Sequence, residues 1–331
     1  MNLPLDRKSF TLQNNDLEVE VHEPLPDKLY KYFSINKNSI NNFITGKLHF
    51  SNPFKLNDIM EGSSQLWNLE SFIDEYITET GRDSHQIFEY ISKIIPEDFF
   101  AHRGVLCLTD SFDNELFWPH YTSELGFCVE LNQQTFFNSI ICDNKLLYPI
   151  DYKPLERIEF KSFIIKTLNG SEMSVNALLP MIYSISLKGV IWNYEREWRL
   201  MIKKEGLGKV SHPLRIIDEK QNTTEIDNLQ NRNISFDKNS IQKIIVSTLF
   251  FSNSRFSKIE IISDFSRKYY FKGDSLYLFL FFLEISKNYN NRLFQIDRDV
   301  KDNIVISKLN YKHQVIDITE KYVVLETTIL Y

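Results

Sequence analysis

The order of apolar and polar positions along the chain predicts short strands. Residues 17–21 alternate between apolar and acidic side chains, and Glu197–Lys203 alternates as well, with Trp198, Leu200 and Ile202 on one face. Glu197, Arg199 and Met201 are expected on the opposite face of that strand. Short apolar or apolar-aromatic runs predict further strands at Leu29–Phe33, Lys47–Phe50, Gly104–Leu108, Gly126–Leu131, Leu146–Tyr152 and Gln242–Thr248.

Apolar residues spaced three and four apart predict helices between these strands. Asn38–Thr45 is predicted to end at Gly46, which suits the left-handed position after a helix. Further helices are predicted around residues 72–77, 87–95, 155–168 and 175–187, with a turn at 169–171. Strands separated by helical pairs favour an α+β fold, with a curved mixed or antiparallel sheet packed with helices and a small C-terminal addition of a helix and strands.

The composition changes after residue 267. We predict a main α+β domain over residues 1–267 and a C-terminal subdomain over residues 268–331, with a helix at Ser275–Lys287 and strands at Ile304–Leu309 and Tyr322–Leu330. The apolar run Leu276–Leu283 is too short to span a bilayer, so we interpret it as a buried helix. An apolar tail of this kind is also a candidate interface for a protein partner or for a homo-oligomer.

Charge and composition exclude several classes of function. The 331 residues carry a formal net charge of −6, so binding to nucleic acid would require a local basic patch. Three cysteines without a C-x-x-C spacing argue against a disulfide scaffold and a cysteine-based zinc site, and no metal site is expected. With no signal-peptide pattern, a cytoplasmic location without membrane association is expected. With 10 glycines and no glycine-rich phosphate loop, a Rossmann-type fold is not expected.

The first candidate site is the aromatic cluster Phe117-Trp118-Pro119-His120-Tyr121, between two predicted strands. Pro119 restricts the backbone before His120, so the imidazole and the Tyr121 phenol are placed by geometry. A histidine beside aromatic residues is often a hydrogen-bonded structural residue, which remains the alternative.

The second candidate site is the cluster Glu195-Arg196-Glu197-Trp198-Arg199. On a strand, residues 195 and 197 share a face, and Arg199 follows them. Two carboxylates beside a cation have a tunable protonation state. The alternative is a solvated polar face with a salt bridge across strands. Asn57, Asp58 and Glu61 suit loop capping as well as ligand binding.

These residues resemble a bacterial family known only as domain of unknown function 2971. The resemblance covers roughly residues 28 to 250. It rests on Leu29-Tyr30-Lys31-Tyr32, on Leu48-His49-Phe50-Ser51-Asn52-Pro53 with Leu56-Asn57-Asp58-Ile59-Met60-Glu61, on Trp118-Pro119-His120-Tyr121 through Gly126-Phe127-Cys128-Val129-Glu130, and on Trp192-Asn193-Tyr194-Glu195-Arg196-Glu197-Trp198-Arg199.

A looser resemblance suggests an activity. ADP-ribosyltransferases use three strand-borne motifs in order, and the order here is similar to theirs: Tyr30-Lys31-Tyr32, then His120-Tyr121, then Glu195-Arg196-Glu197. This resemblance implies that NAD is the substrate and that its nicotinamide–ribose bond breaks through an oxocarbenium-like state. The implied catalytic residues are Glu197, Glu195, His120 and Tyr121, and the implied NAD-binding residues are Tyr30, Lys31, Tyr32, Trp118 and Arg199. Glu197 would stabilise the charge, Tyr121 would stack on nicotinamide, and Lys31 or Arg199 would hold phosphate.

Two hypotheses follow. The first is an NAD-using ADP-ribosyltransferase-like enzyme, of the toxin or anti-phage effector type, with an unidentified macromolecular acceptor. The second is a non-enzymatic recognition module in a defence or regulatory system, which binds a nucleotide, a nucleic acid or a protein through an aromatic-lined cleft.

Overall fold

The computed structural model describes most of the chain. The described residues are 2–13, 16–56, 58, 60–61, 63–80, 83–89, 91, 99–159, 164–166, 173–175, 178–208, 229–252, 256–298, 303–319 and 322–330. They form an α+β fold with antiparallel and mixed sheets, as the sequence predicts.

The chain divides into two compact units, each built from three segments. Unit 1 contains residues 1–25, 49–107 and 142–234, and unit 2 contains residues 26–48, 108–141 and 235–331. This division does not follow the predicted boundary between residues 267 and 268. The C-terminal residues belong to the same unit as the strand Lys28–Phe33 and the helix Phe117–Thr122.

Unit 1 is centred on the strand Glu197–Lys203. This strand pairs antiparallel with Asn144–Pro149, with Trp198 opposite Pro149 and Lys203 opposite Asn144. Its N-terminal strands form a separate antiparallel sheet. The described strands that lie wholly in unit 1 are Asn2–Pro4, Lys8–Gln13, Asp16–Val21, Trp67–Asn68, Asn144–Pro149, Asp151–Tyr152, Ile158–Glu159, Ile164–Lys166, Met173–Val175, Leu187–Lys188 and Glu197–Lys203, and its described helices are Glu70–Thr80, Ser84–Glu89 and Leu178–Ser184. Three further strands have residues in both units: Lys47–His49, Arg103–Thr109 and Asn233–Ser235.

Unit 2 contains a five-stranded arrangement in the order Ile304–Lys308, Leu293–Arg298, Ile241–Val246, Phe127–Asn132 and Lys28–Phe33. Ile241–Val246 and Leu293–Arg298 run parallel, and the other neighbours in this row run antiparallel. Tyr32, Cys128 and Ile245 lie side by side across three of these strands, so they share one face of the sheet. The helices of unit 2 are Lys37–Ile44, Phe117–Thr122, Gln133–Ser139 and Leu276–Asn288.

The C-terminal part of unit 2 adds a four-stranded antiparallel sheet. Its strands, in spatial order, are Lys258–Ser263, Ser266–Phe271, Val323–Leu330 and Asn310–Ile318. The predicted buried helix is confirmed as Leu276–Asn288, because Phe282 packs 5.5 Å from the ring of Tyr269. Phe281 of the same helix packs 5.4 Å from Phe43 on the helix Lys37–Ile44. This packing joins the tail to residues near the N-terminus within the unit.

Several predicted elements are confirmed. The helix Lys37–Ile44 is followed by Gly46 at φ +65°, as predicted, and the predicted strands near residues 104, 126, 146, 197 and 242 are present. The helix predicted at 155–168 is wrong, because the described part contains the strands Ile158–Glu159 and Ile164–Lys166. The helix predicted at 175–187 is shorter, Leu178–Ser184, and follows the strand Met173–Val175. The turn at 169–171 and most of the helix predicted at 87–95 lie outside the described residues.

Candidate functional site

The predicted polar face of the strand Glu197–Lys203 is buried. Six of its seven residues are buried, and Glu197 and Arg199 are 3% and 0% exposed. The alternative of a solvated face is therefore wrong. Glu195 lies outside the strand, in the 3₁₀ helix Val190–Glu195, and Arg196 between them is left-handed at φ 45°. The prediction that Glu195 and Glu197 share one strand face is also wrong, although both carboxylates reach the same cluster.

Five buried charged side chains in unit 1 form what we call the Glu197 network: Glu61, Lys188, Glu195, Glu197 and Arg199. Arg199 donates from Nε to Glu197 Oε1 at 2.7 Å and from Nη2 to Glu197 Oε2 at 3.1 Å. It also donates from Nη1 to the carbonyl oxygen of Ile185 at 2.6 Å and from Nη2 to Glu61. Its three guanidinium nitrogens are all engaged by protein groups.

Lys188 supplies the second cation of the network. Its Nζ lies 2.6 Å from Glu195 Oε2, 2.8 Å from Glu197 Oε2 and 3.8 Å from Glu61 Oε1. Three carboxylates against two cations give a net charge of −1 if all five groups are ionised. An excess negative charge in a buried place is unfavourable, so one carboxyl is expected to take up a proton more readily than the others.

Glu61 is a carboxyl whose pKa is shifted in that direction. Burial raises the pKa of Glu61, against the opposing pull of Arg199 and Lys188. Burial alone would raise the pKa of Glu197 as well, but Arg199 and Lys188 hold it well below its usual range. Glu61 Oε2 is buried without a hydrogen-bond partner among the described residues. Two carboxyls with opposite pKa shifts are an arrangement that acid–base chemistry uses, and structural ion-pair networks also produce it.

In unit 2, the first and second predicted motifs come together in an aromatic cluster. Tyr32 stacks on Phe117 at 4.9 Å and meets Trp118 edge-on at 5.2 Å. Tyr32 Oη and Trp118 Nε1 both donate to the carbonyl oxygen of Phe112, at 2.9 and 3.3 Å. Tyr121 packs on Phe117 at 5.1 Å. Tyr32 and Trp118, two of the three predicted NAD-binding aromatic residues, therefore pack against each other, and Tyr30 packs on Phe112 at 5.7 Å.

Three further predicted residues have distinct surroundings in unit 2. His120 is exposed on the helix Phe117–Thr122, and Lys31 is half-buried on the strand Lys28–Phe33. Tyr30 Oη donates to Glu130 Oε2 at 3.0 Å, and Lys243 Nζ lies 3.0 Å from the same oxygen. The Tyr30 hydroxyl is thus hydrogen-bonded to the buried carboxylate of Glu130, a residue that was not predicted to be functional.

A pocket of about 560 Å³ opens beside this cluster, and we call it the Trp118 pocket. Its volume lies in the range of ordinary ligand pockets. Ser247 is 2% exposed, and its Oγ is buried without a hydrogen-bond partner among the described residues. The described lining residues are Glu115, Leu116, Trp118, Pro119, Glu124, Ser247, Thr248, Leu249, Ile296, Asp297 and Ile304.

The backbone beside this pocket is strained. Ser123 and Glu124, at the end of the helix Phe117–Thr122, have φ values of 51° and 58°. Their N–H groups donate to the carbonyl oxygens of Pro119 and Trp118, at 3.1 and 3.0 Å, which closes the helix. Left-handed conformations cost roughly 1–2 kcal/mol for residues other than glycine, and such strain concentrates at functional sites. Glu124 lines the pocket and Ser123 does not.

The predicted site residues therefore fall into two groups. Glu195, Glu197 and Arg199 share the Glu197 network in unit 1, whereas Tyr30, Lys31, Tyr32, Trp118, His120 and Tyr121 belong to unit 2. Lys188 was not predicted from the sequence. The pattern that could have indicated it is a single lysine directly after the mostly apolar segment Leu178–Leu187. Ser247 and Thr248, two polar residues at the end of an apolar strand, were not predicted either.

Comparison with known proteins gives no relative. No family model, no curated protein and no solved structure matches the chain. Among the described residues, no group of His, Cys, Asp and Glu side chains is arranged to hold a metal ion. None of the described helices combines the length and the apolar character that crossing a membrane requires.

Proposed function

We propose that the protein is a recognition module and that the Trp118 pocket is its ligand site. The observation that carries this proposal is Ser247, a residue of the pocket lining whose buried Oγ has no hydrogen-bond partner among the described residues. A buried hydroxyl without a partner is costly, and a ligand that hydrogen-bonds to it removes that cost. This is the second of the two functional hypotheses, narrowed to one pocket in unit 2.

Two other properties support a preformed site. Trp118 is held by its hydrogen bond to Phe112 and by Tyr32, so this wall of the pocket is rigid. A rigid site loses less conformational entropy when it binds. Glu124 keeps a left-handed backbone at the pocket although glycine would relieve the strain, which is expected where the side chain serves binding.

Replacing Glu124 by glycine should separate binding from stability. We expect Glu124→Gly to leave the free energy of unfolding unchanged or to raise it by up to about 1 kcal/mol, because glycine accepts this backbone. Ser123→Gly is the matched control, since it relieves the same strain one residue away and changes no residue lining the pocket. Urea unfolding measures both effects.

Binding is measured by affinity selection: the wild type and both variants are each used to select peptides from a displayed library of random heptapeptides. Peptides enriched by the wild type and by Ser123→Gly, but not by Glu124→Gly, are the expected result. If all three proteins enrich the same peptides, Glu124 does not take part in binding and the proposal is contradicted. A loss of more than about 1 kcal/mol of stability in Glu124→Gly would instead assign Glu124 a structural role, which also contradicts the proposal.

We propose a second candidate function, an NAD-using ADP-ribosyltransferase-like activity of toxin or anti-phage effector type. The observation that favours it is that Glu195, Glu197 and Arg199 share one network with Glu61, a carboxyl of raised pKa. It ranks second because Glu197 and Arg199 are buried and already paired with each other. The network would have to open before either residue met NAD.

Release of nicotinamide tests this second candidate. If it is correct, purified wild type releases nicotinamide from NAD and Glu197→Gln does not. The variant is expected to fold, because it leaves two carboxylates against two cations in the network. Glu205→Gln, at an exposed position, is the charge-matched control and should retain full activity. Equal release by wild type and Glu197→Gln would exclude the assigned role of Glu197.

A further inference from the structure

We propose that the ligand of the Trp118 pocket is an organic cation that donates several hydrogen bonds, namely the protonated amino or guanidino group at the end of a lysine or arginine side chain of a protein partner. This inference rests on the proposed function and names its ligand class. It follows from the hydrogen-bonding inventory of the pocket.

Hydrogen-bond acceptors dominate the described lining. Glu124 contributes a carboxylate from an exposed position. Glu115 and Asp297 also line the pocket, and each of them interacts with another group of the protein as well. Thr248 Oγ1 donates its hydrogen to the carbonyl oxygen of Ile296 at 3.3 Å, which leaves its lone pairs to accept. Ser247 Oγ also carries two acceptor lone pairs, beside its own hydroxyl hydrogen. An ammonium brings three donors and a guanidinium brings five, so both match an acceptor-rich wall.

Donors are few on the same wall. The indole N–H of Trp118 is engaged by the carbonyl oxygen of Phe112. Lysine, arginine and histidine do not occur among the described lining residues. An anionic ligand such as a nucleotide phosphate would meet carboxylates here, and like charges repel at these distances. The pocket therefore favours a cation over NAD.

The apolar part of the wall fits the stem of such a side chain. Leu116 and Leu249 are 45% and 44% exposed, and Pro119 and Ile304 also line the pocket. Lysine and arginine place their methylene stems along apolar surface while the charged end reaches polar partners. A side chain with an apolar stem and a cationic end matches both parts of the lining.

Four small probes test the ligand class by saturation-transfer NMR on the full chain: the N-acetyl methylamides of lysine, arginine and norleucine, and AMP. We expect the lysine or the arginine probe to bind with a dissociation constant on the order of 1 mM, which is ordinary for a fragment of this size. Norleucine has an apolar stem without the charge, so it should not bind. Affinity should fall as salt is raised.

Glu124→Gln should weaken binding of the cationic probe at least fivefold, because it removes a charge-assisted partner. Glu205→Gln, an equal charge change at an exposed position in unit 1, should leave binding unchanged. The better of the two cationic probes identifies ammonium or guanidinium.

Any one of three results overturns the inference. Neither cationic probe binds, or the norleucine probe binds as tightly as the lysine probe, or AMP binds and Glu124→Gln raises its affinity. Each leaves the recognition module standing if the selected heptapeptides depend on Glu124. If neither the peptides nor the probes respond to Glu124, both proposals fail.

Discussion

Arg199→Met is expected to destabilise the protein by about 3–5 kcal/mol, which is the usual cost of leaving a buried charge without its partner. The guanidinium of Arg199 contacts Glu197 twice, Glu61 once and the carbonyl oxygen of Ile185 once, and it is fully buried. Methionine fills similar space but supplies no donor. Lys188 would then face three buried carboxylates alone. Urea unfolding of wild type and variant, followed by circular dichroism, measures the difference.

Three companion variants make the cause of this loss identifiable. Lys203→Met removes a cation from the exposed end of the same strand and should change stability by less than about 0.5 kcal/mol. Arg199→Lys keeps the charge but not the forked geometry, so an intermediate loss is expected. The double variant Arg199→Met/Glu197→Gln restores the net charge of the network to −1 and should recover part of the stability. If Arg199→Met and Lys203→Met unfold at the same urea concentration, the network does not stabilise the fold.

The burial of this network marks a limit of sequence reasoning. Alternation along Glu197–Lys203 correctly predicted a strand with two faces. It could not tell which faces are buried, because a polar face normally meets water. Two of the partners that make burial tolerable, Glu61 and Lys188, lie 136 and 9 residues from Glu197 in the sequence. Pairing over such separations is a tertiary property.

The same reason explains which elements were predicted and which were not. Apolar runs such as Phe127–Leu131 and Ile241–Val246 form strands whatever covers them. Residues 155–168 are apolar at several spacings, and strand pairing decided the outcome. Ile158–Glu159 pairs with the distant strand Trp67–Asn68, and Ile164–Lys166 pairs with the nearby strand Met173–Val175. Local propensity carries no information about such partners.

The Trp118 pocket could be predicted only in part. The cluster Phe117–Tyr121 was recognised from its density of aromatic residues, and Trp118 does line the pocket. Glu124, Ser247 and Asp297 come from segments far apart in the chain. These segments come together only in the folded unit 2. The hydrogen-bond donors and acceptors that line the pocket, and with them the class of ligand, could therefore not be predicted from the sequence.

Gly126→Ala is expected to cost about 3 kcal/mol or more, as overpacking against backbone does when the neighbours cannot move. An alanine Cβ at this position would lie 2.1 Å from the carbonyl oxygen of Phe33 and 2.7 Å from Thr122 Cβ. The backbone of Phe33 cannot easily move away from the added Cβ, because Phe33 pairs with Phe127 in the sheet and its ring stacks on that of Phe127 at 4.9 Å. Glycine is required here by close approach of the backbone.

The same substitution should also impair the Trp118 pocket. The carbonyl oxygen of Gly126 accepts the N–H of Ser247 at 3.0 Å, so a displaced Gly126 moves Ser247 as well. Gly189→Ala is the control, because the nearest atoms to its added Cβ are 4.0 Å away and its φ of −58° suits alanine. Gly189→Ala should be neutral or stabilise the protein by up to about 1 kcal/mol. Urea midpoints that fall equally for both variants would show that contact with Phe33 is not what makes Gly126 necessary.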